Sequence, residues 1–325
     1  MNDQIRSIEQ GVLLDLDSLD KQDLDLAPLT ATLPRWRLYR HTPPEAVIPR
    51  LRGAQVAVLN KVVLDAATLA RLPDLRLVCV TATGVDNVDV AAARARGVTV
   101  CNARDYATAS VVQHWLALLL TLVRRLDEHR ARVRDGGWSA SPHFCVLDRP
   151  IAELGELTLG LVGHGTLGRA VADQARALGM RVWVAERPGR PVRPGRVPWE
   201  TVLGEVDVLS LHCPLTPETR HLVDAEALRR MRRGALLINT ARGALVDPTA
   251  LADALRRGHL GGAALDVLDR EPPPPDHPLL APDLPGLVLT PHVAWASRRA
   301  RQRLVEQTAE NVRAFLAGAP IRVVA

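Results

Sequence analysis

The chain has 325 residues, which is enough for two domains that each bury a hydrophobic core. Its hydrophobic content of 47% and charged content of 24% are ordinary for a soluble globular protein. The net charge of +5 comes from arginines spread along the chain, and aromatic residues make up only 3%, which argues against a nucleic-acid-binding surface.

The cysteines and the apolar runs indicate in which compartment the protein is expected. The four cysteines are far apart and form no C-x-x-C pair, which argues against a zinc site or a disulfide framework and fits a reducing compartment. The polar N-terminus, 1–10, has no hydrophobic signal core, and the most apolar run, 115–123, is too short to span a bilayer. We therefore expect a cytoplasmic protein with no bound metal and no membrane or nucleic-acid partner.

Short apolar runs and helical patterns alternate through the first hundred residues. This alternation is typical of an open parallel sheet with helices on its faces. Strands are predicted at 12–16, 36–39, 55–59, 75–80 and 98–101. Helices are predicted between them at 44–51, 66–72 and 90–96.

The longest helical pattern, 109–134, follows and is stopped by two glycines. The irregular segment 135–157 is of the kind that wraps a neighbour or another subunit. Alternation then resumes, and we expect the last helix, 297–316, to return to the first domain, which lacks a long capping helix. Further strands are predicted at 158–163, 181–186, 207–212, 235–240, 262–267 and 287–291. The predicted domains are 1–107 plus 297–325, and 108–296.

A glycine-rich turn between a strand and a helix opens the alternation of the second domain. The pattern G-x-G-x-x-G gives one glycine for the tight turn, one for close approach to a pyrophosphate and one for helix–strand packing. The helix N-terminus offers free N–H donors to phosphates. The turn therefore predicts a dinucleotide site, in which His164 is a solvent-facing spacer. Its residues are Gly163, His164, Gly165, Thr166, Leu167 and Gly168.

An acidic residue ends the next predicted strand. Glu186 lies 18 residues beyond Gly168, near the position of the carboxylate that binds the adenosine ribose hydroxyls. Arg187, Arg190 and Arg193 follow, and an arginine there can accept the 2′-phosphate of NADP. We expect NAD as the cofactor, with NADP possible.

Polar residues follow four more predicted strands of the second domain. Ligands of doubly wound sheets bind at the carboxyl ends of the strands, so these residues are the candidates for chemistry. An arginine, a glutamate and a histidine after three different strands form an informative set. The residues are His212, Cys213 and Pro214; Thr240, Ala241 and Arg242; Asp266 and Glu271; and His292.

Several of these segments resemble the D-isomer-specific 2-hydroxyacid dehydrogenases, over almost the whole chain from about residue 60 onward. The segments that carry this resemblance are 237–243, 262–267, 271–272 and 290–292. Two others, 82–89 and 292–297, resemble the glycerate dehydrogenase (hydroxypyruvate reductase) branch. The resemblance implies α/β architecture with two doubly wound parallel-sheet domains, a flavodoxin-like substrate domain and a Rossmann dinucleotide-binding domain, with a cleft between them. It also implies a homodimer, with 109–149 as the dimerisation element.

The resemblance assigns roles to the catalytic candidates. Arg242 grips the substrate carboxylate, for which its guanidinium offers a planar fork. His292 is the acid–base group, and Glu271 orients the imidazole and raises its pKa. Backbone N–H groups around Thr83 and Gly84 hold the other side of the carboxylate.

Further contacts are expected around substrate and cofactor. Lys61 follows a strand of the first domain and is a candidate contact for a hydroxyl-bearing or acidic substrate, a solvated loop lysine being the other interpretation. Asp266 resembles the family's partner of the nicotinamide carboxamide. His212, Cys213 and Pro214 line the adenine pocket. The predicted cofactor contacts also include Arg187, Thr240 and Ala241.

The sequence therefore predicts an NAD(P)-dependent oxidoreductase that acts on the CH–OH group of a small D-2-hydroxy acid. The first substrate candidates are D-glycerate/hydroxypyruvate and glycolate/glyoxylate. One alternative is a dinucleotide-sensing regulator, since the C-terminal-binding corepressors keep the same three residues. Another is a phosphite or formate dehydrogenase relative, although formate dehydrogenase pairs its histidine with an amide, which Glu271 argues against.

Overall fold

The computed structural model describes residues 8–324, so most of the polar stretch 1–10, in which no signal core is expected, lies outside the described residues. The chain divides into two compact units. The first comprises Met1–Ala107 and Ala296–Ala325, and the second comprises Thr108–Trp295.

The first unit is built on a five-stranded parallel sheet. The strands follow the order β2-β1-β3-β4-β5, which is the flavodoxin-like order. Strands β3 and β4 are buried along their whole length, as uninterrupted apolar runs in a parallel sheet should be. The strands are Gln10–Leu13 (β1), Arg35–Leu38 (β2), Val56–Leu59 (β3), Leu77–Val80 (β4) and Thr99–Cys101 (β5). The helices are Ala27–Thr30 (α1), Val47–Leu51 (α2), Ala66–Ala70 (α3) and Val90–Ala95 (α4).

The second unit contains a six-stranded parallel sheet in the order β11-β10-β9-β8-β6-β7. Strand β6 is the first strand of this sheet along the chain. The next strand, β7, lies on one side of β6, and the strands from β8 to β11 follow on the other side, so the topological switch point lies between β6 and β8. The strands are Thr158–Val162 (β6), Arg181–Val184 (β7), Val208–Leu211 (β8), Leu236–Asn239 (β9), Gly262–Leu265 (β10) and Leu287–Leu289 (β11). The helices are Thr108–Val123 (α5), Leu126–Arg134 (α6), Thr166–Ala177 (α7), Trp199–Glu205 (α8), Ala225–Arg230 (α9) and Pro248–Arg256 (α10).

Two apolar clusters cover the two faces of this second sheet. One joins α5 and α7 to the sheet and includes Trp115, the largest fully buried side chain. The other joins α8, α9 and α10 to the opposite face. The Trp115 Nε1–H donates to Ser210 Oγ at 3.0 Å, so the indole is satisfied inside the core.

The last helix, Arg298–Leu316 (α11), belongs to the first unit and packs against α1 and β4. It is capped by Ser297, whose side chain accepts from Ala300 N. Arg301 on this helix forms an ion pair with Asp23, with Nη2 2.6 Å from Oδ2. The helix therefore supplies the long cover that the first sheet would otherwise lack.

Several predicted boundaries differ from the structure by one or two residues, and two predicted elements differ by more. The pattern at 109–134 is not one helix, because Arg125 adopts a left-handed conformation with φ +50° and separates α5 from α6. The Arg125 side chain donates to Pro150 O and to Glu128, so contacts outside the pattern hold this break. The longest helix described is α11, with 19 residues. The first strand ends at Leu13 rather than at residue 16, because a short 3₁₀ turn, Leu16–Ser18, begins there.

Candidate active site

The glycine turn after β6 has three distinct steric environments. Gly163 has φ +97°, and a Cβ there would lie 2.6 Å from the His212 carbonyl. A Cβ on Gly168 would overlap the carbonyl oxygen of Gly163. Gly165, by contrast, has nothing within 4 Å of such a Cβ, and it is the N-cap of α7. The first and third glycines therefore serve packing, while the second leaves open space in front of a helix N-terminus, as phosphate binding requires.

Two of the predicted cofactor residues each carry a polar atom that is buried without a hydrogen-bond partner among the described residues. The two atoms are His164 Nε2 and Thr240 Oγ1. A buried polar atom that lacks a partner is destabilising by about 1–3 kcal/mol, so such atoms point to a bound group that satisfies them. The open space at Gly165 and these two atoms together fit a dinucleotide.

The prediction that His164 is a solvent-facing spacer is wrong. Its side chain is half-buried, and Nε2 is buried completely. Burial lowers the pKa of the imidazole, and the nearby charges of Arg196 and Arg169 lower it further. Arg169 also donates to the His164 carbonyl at 3.2 Å, which ties the turn to the first turn of α7.

Glu186 lies beyond the end of β7, where the predicted ribose-binding carboxylate should be. The side chain is buried, and Arg193 holds it with two short contacts, Nε to Oε2 at 2.6 Å and Nη2 to Oε1 at 2.7 Å. The backbone N–H of Arg187 donates to Oε1 at 2.9 Å. The Arg193 hydrogen bonds, together with that N–H group, lower the pKa of Glu186 to about 2. Sequence reasoning named both residues but did not predict that they pair.

The segment after β8 forms the neutral side of the switch point. His212 Nε2 lies 2.9 Å from Ser210 Oγ, which also accepts from Trp115. Burial lowers the pKa of His212 to about 4 and raises the pKa of Cys213 to about 11. The imidazole and the thiol are therefore both uncharged near neutral pH.

Arg242 follows β9, and its backbone is fixed on two sides. Asn239 donates from Nδ2 to the Arg242 carbonyl at 2.9 Å and accepts from Ala241 N at 3.0 Å. A Cβ on Gly243 would overlap the carbonyl carbon of Leu268, so this glycine lets the Arg242 segment pack against the loop after β10. Asn239 was not among the predicted site residues, although an asparagine at the end of an apolar run was the available sequence signal, and the structure buries it fully.

Glu271 and His292 form a direct pair. His292 Nδ1 lies 2.6 Å from Glu271 Oε2, and both side chains are about one-third exposed. The other oxygen, Oε1, accepts from Leu268 N at 2.9 Å. The carboxylate is thus held by backbone on one oxygen and contacts the imidazole with the other, which commits Nδ1 and makes Nε2 the nitrogen that can serve a substrate.

The backbone of His292 is held in an unusual conformation. Its φ is +55°, in the left-handed region that non-glycine residues rarely adopt. The His292 N–H donates to Asp266 O at 2.8 Å, and the His292 carbonyl accepts from Trp295 Nε1 at 2.9 Å. Non-glycine residues in this region cluster at functional sites, where their surroundings hold them in place.

Asp266 organises the loop that carries His292. The buried carboxylate accepts from Thr290 Oγ1 at 2.6 Å, from Val293 N at 2.9 Å and from Ala294 N at 2.8 Å. His114 Nε2 lies 2.9 Å from Thr290 Oγ1 and extends this network to α5. These contacts shape the loop itself, a function that sequence reasoning missed.

The predicted substrate contacts of the first unit lie at strand ends of that unit. The Lys61 backbone N–H donates to Asp15 Oδ2 at 2.7 Å, and the lysine side chain is exposed. Thr83 donates from its hydroxyl to Ala103 O at 3.0 Å, and its carbonyl accepts from Asn102 Nδ2. Thr83 and Gly84 follow β4 directly.

Within residues 8–324, no helix is both long and apolar enough to cross a membrane. The same range holds no cluster of three or more His, Cys, Asp or Glu side chains arranged to bind a metal.

Comparison with known proteins connects these features to a family. The model of the D-isomer specific 2-hydroxyacid dehydrogenase NAD binding domain matches residues 116–294, more than half of the chain. A glycerate dehydrogenase from Methylorubrum extorquens is 46% identical over 94% of this chain and 97% of its own. A hydroxypyruvate reductase from Blautia hydrogenotrophica is 36% identical over 96% of this chain and 98% of its own.

A solved structure leads to the same family. It is the D-lactate dehydrogenase of Aquifex aeolicus, determined with NAD and lactic acid, which is 29% identical and covers 96% of each chain with a TM-score of 0.82. The predicted fold class, enzyme class and NAD cofactor are confirmed, and these similarities do not support the sensing or formate and phosphite alternatives. This chain belongs to the D-isomer specific 2-hydroxyacid dehydrogenases and is an NAD-dependent oxidoreductase that transfers a hydride between NAD(H) and a 2-hydroxy acid/2-oxo acid pair.

Proposed function

We propose that this enzyme interconverts hydroxypyruvate and D-glycerate, with glyoxylate and glycolate as the second substrate pair. The observation that carries the proposal is the 2.6 Å contact between Glu271 Oε2 and His292 Nδ1. The Arg242 segment packs, at Gly243, against the loop that carries Glu271. The names of the Methylorubrum and Blautia relatives support the same substrate pair.

The geometry of the site supports the proposed role of the Glu271–His292 pair, and the family resemblance supports that of Arg242. Bound NADH supplies the hydride, and NAD⁺ accepts it in the reverse direction. His292 donates a proton from Nε2 to the carbonyl oxygen, and Glu271 holds the Nδ1 proton and the orientation of the ring. Arg242 binds the substrate carboxylate through its guanidinium fork. The sum is 2-oxo acid, NADH and one proton going to 2-hydroxy acid and NAD⁺.

The remaining predicted contacts are part of this proposal. Thr83 and Gly84 offer backbone N–H groups to the carboxylate, and Lys61 offers an ammonium group to the substrate hydroxyl. Asp266 binds the nicotinamide carboxamide, in addition to its observed contacts. The proposed cofactor contacts are Gly163, His164, Gly165, Thr166, Leu167, Gly168, Glu186, Arg187, His212, Cys213, Pro214, Thr240 and Ala241.

We also propose a homodimer formed through residues 126–151. This segment carries six exposed large hydrophobic side chains, and Phe144 and Leu147 are 91% and 86% exposed. A concentration of apolar surface of this kind is typical of a protein interface. The six are Leu126, Val133, Trp138, Phe144, Leu147 and Ile151. Light scattering should give twice the chain mass, and Phe144→Asp with Leu147→Asp should give the chain mass.

A cytoplasmic location is the last part of the proposal. Cys79 and Cys101 are register partners on β4 and β5, and both are buried free thiols. A reducing compartment keeps thiols in this form.

The proposed activity is tested by following NADH oxidation with a panel of 2-oxo acids. We expect kcat/KM to be highest for hydroxypyruvate, next for glyoxylate, and lower for pyruvate and longer 2-oxo acids. A purified, folded enzyme that prefers a branched or aromatic 2-oxo acid by tenfold or more would contradict the substrate assignment. The D- and L-isomers of glycerate with NAD⁺ then test the stereochemistry.

A further inference from the structure

The loop after β7 places four arginines within the ten residues that follow Glu186. They are Arg187, Arg190, Arg193 and Arg196. Such a loop lies where a dinucleotide-binding domain recognises the adenosine ribose or its 2′-phosphate. Its contacts therefore bear on which nucleotide the site accepts.

The Glu186 carboxylate is fully used within this loop. Oε1 accepts from Arg193 Nη2 at 2.7 Å and from Arg187 N at 2.9 Å. Oε2 accepts from Arg193 Nε at 2.6 Å and from Arg193 N at 3.3 Å. A carboxylate has about four acceptor positions, so a ribose diol can bind Glu186 only when the Arg193 guanidinium moves away. The Arg193 side chain is 61% exposed, which leaves it room to move.

The surroundings of this pair are strongly basic. Arg187 and Arg190 add to the Thr216 hydrogen bond in lowering the pKa of Glu218, so both guanidinium groups lie near the segment that follows β8. Arg196 lies on the other side, close enough to His164 to lower its pKa together with burial. An added phosphate would therefore meet several positive charges, while the Glu186 carboxylate is already paired with Arg193 and the Glu218 carboxylate lies near Arg187 and Arg190.

We propose that Arg193 is a specificity-determining residue that makes the adenosine end of the site accept a 2′-phosphate as well as a free ribose diol. With NAD(H), the ribose hydroxyls replace the guanidinium on Glu186. With NADP(H), the guanidinium moves its two N–H groups from Glu186 to the phosphate. Arg193 exchanges one bidentate anion for another and so keeps its own charge-assisted hydrogen bonds, while Glu186 keeps the backbone N–H groups of Arg187 and Arg193 as donors. The inference rests on the nucleotide contacts of the proposed function.

Calorimetric titration of the full-length enzyme with NADH and with NADPH tests this proposal without turnover. We expect the wild-type Kd values to lie within about tenfold of each other. Arg193→Gln should weaken NADPH binding about tenfold to a hundredfold, the range of a hydrogen bond to a charged group, and leave NADH binding unchanged or tighter. Glu186→Gln should tighten NADPH binding and weaken NADH binding.

Arg229→Gln is the matched control, since Arg229 also contacts a glutamate, Glu226, through Nη2 at 2.6 Å but lies on α9. It should change neither Kd. Two results would overturn the role of Arg193 and leave the proposed function intact. One is a wild-type preference for NADH above a hundredfold, and the other is an Arg193→Gln variant with unchanged NADPH affinity. Folded enzyme that binds neither nucleotide would overturn the proposed nucleotide contacts as well.

Discussion

The two units share a winding scheme but use their switch points differently. In the first unit the switch point lies between β1 and β3, and the Asp15 carboxylate fills it by accepting the N–H groups of Asn60 and Lys61 at 2.9 and 2.7 Å. In the second unit it lies between β6 and β8, where Gly165 faces open space and His164 Nε2 has no partner among the described residues. One switch point is closed by its own side chain, and the other leaves donors for a ligand.

The difference shows how much a parallel sheet decides about function. Winding in two directions from a central strand creates a crevice at the carboxyl edge of either sheet. Side chains then determine whether backbone donors in that crevice are satisfied internally or by a bound anion. The following predictions test this contrast, from the largest expected effect to the smallest.

The chemistry should depend on the second unit. His292→Ala removes the proposed proton donor, so we expect kcat to fall about a thousandfold, within the usual range for general acid–base catalysis. NADH affinity should change little. His41→Ala, an exposed histidine of the first unit, is the control and should keep wild-type kcat. A His292→Ala enzyme with wild-type turnover would falsify the assignment.

Binding of the substrate carboxylate should depend on the planar shape of the Arg242 guanidinium group. Arg242→Lys keeps the charge but loses the planar fork, so we expect KM for hydroxypyruvate to rise about tenfold to a hundredfold. The effect on kcat should be smaller. Steady-state kinetics with saturating NADH separates the two parameters, and an unchanged KM would mean that Arg242 does not hold the carboxylate.

The open switch point can be changed at two glycines with opposite outcomes. Gly168→Ala places a methyl group on the Gly163 carbonyl oxygen, so we expect a loss of about 2–3 kcal/mol in the free energy of unfolding. Gly165→Ala meets nothing within 4 Å and has an ordinary φ of −78°, so the fold should keep its stability. Its NADH affinity should still fall at least tenfold, because the methyl group enters the phosphate space. Urea unfolding and NADH titration measure the two effects, and equal behaviour of both variants would contradict the proposed division of roles.

The closed switch point should be opened by removing its carboxylate. Asp15→Ala leaves the buried N–H groups of Asn60 and Lys61 without their acceptor, and we expect a loss of about 2 kcal/mol in the free energy of unfolding. Asp15→Asn keeps one acceptor oxygen and should recover part of the loss. Asp17→Ala removes only a surface ion pair with Arg40 and should change the free energy of unfolding by less than about 0.5 kcal/mol. If Asp15→Ala and Asp17→Ala are equally stable, the closure does not depend on Asp15.

His212, on the neutral side of the second switch point, should make the free energy of unfolding depend on pH. The folded pKa of His212 is lowered to about 4 from 6.5, so below pH 6.5 the unfolded chain takes up a proton that the folded protein does not. Stability should therefore fall as the pH drops from about 6.5 to about 4, by about 2 kcal/mol at pH 5, and His212 should add no further loss below that range. Urea unfolding of wild type and His212→Asn checks this. When the pH is lowered to 5, the free energy of unfolding of the variant should fall by about 2 kcal/mol less than that of wild type.

Much of the fold could be predicted because its signals are local. The central strands are short apolar runs buried on both faces, and residues 158–177 combine such a run, the three glycines of the turn and a helical pattern. The break at Arg125 could not be predicted from periodicity, because contacts with Pro150 and Glu128 hold it. The burial of His164 Nε2 was missed for a similar reason, since it depends on packing around the turn.

The amino-acid sequence by itself determined the order of strands and helices, the position of the phosphate-binding turn and the chemistry available at each strand end. These properties depend on residues within one or two turns of the chain. The resemblance already implied that Glu271 orients His292, but only the tertiary structure decided that Asp15 pairs with the backbone at residues 60 and 61 and that Glu186 pairs with Arg193. A hydrogen bond forms between groups within about 3 Å in space, and sequence spacing does not set that distance.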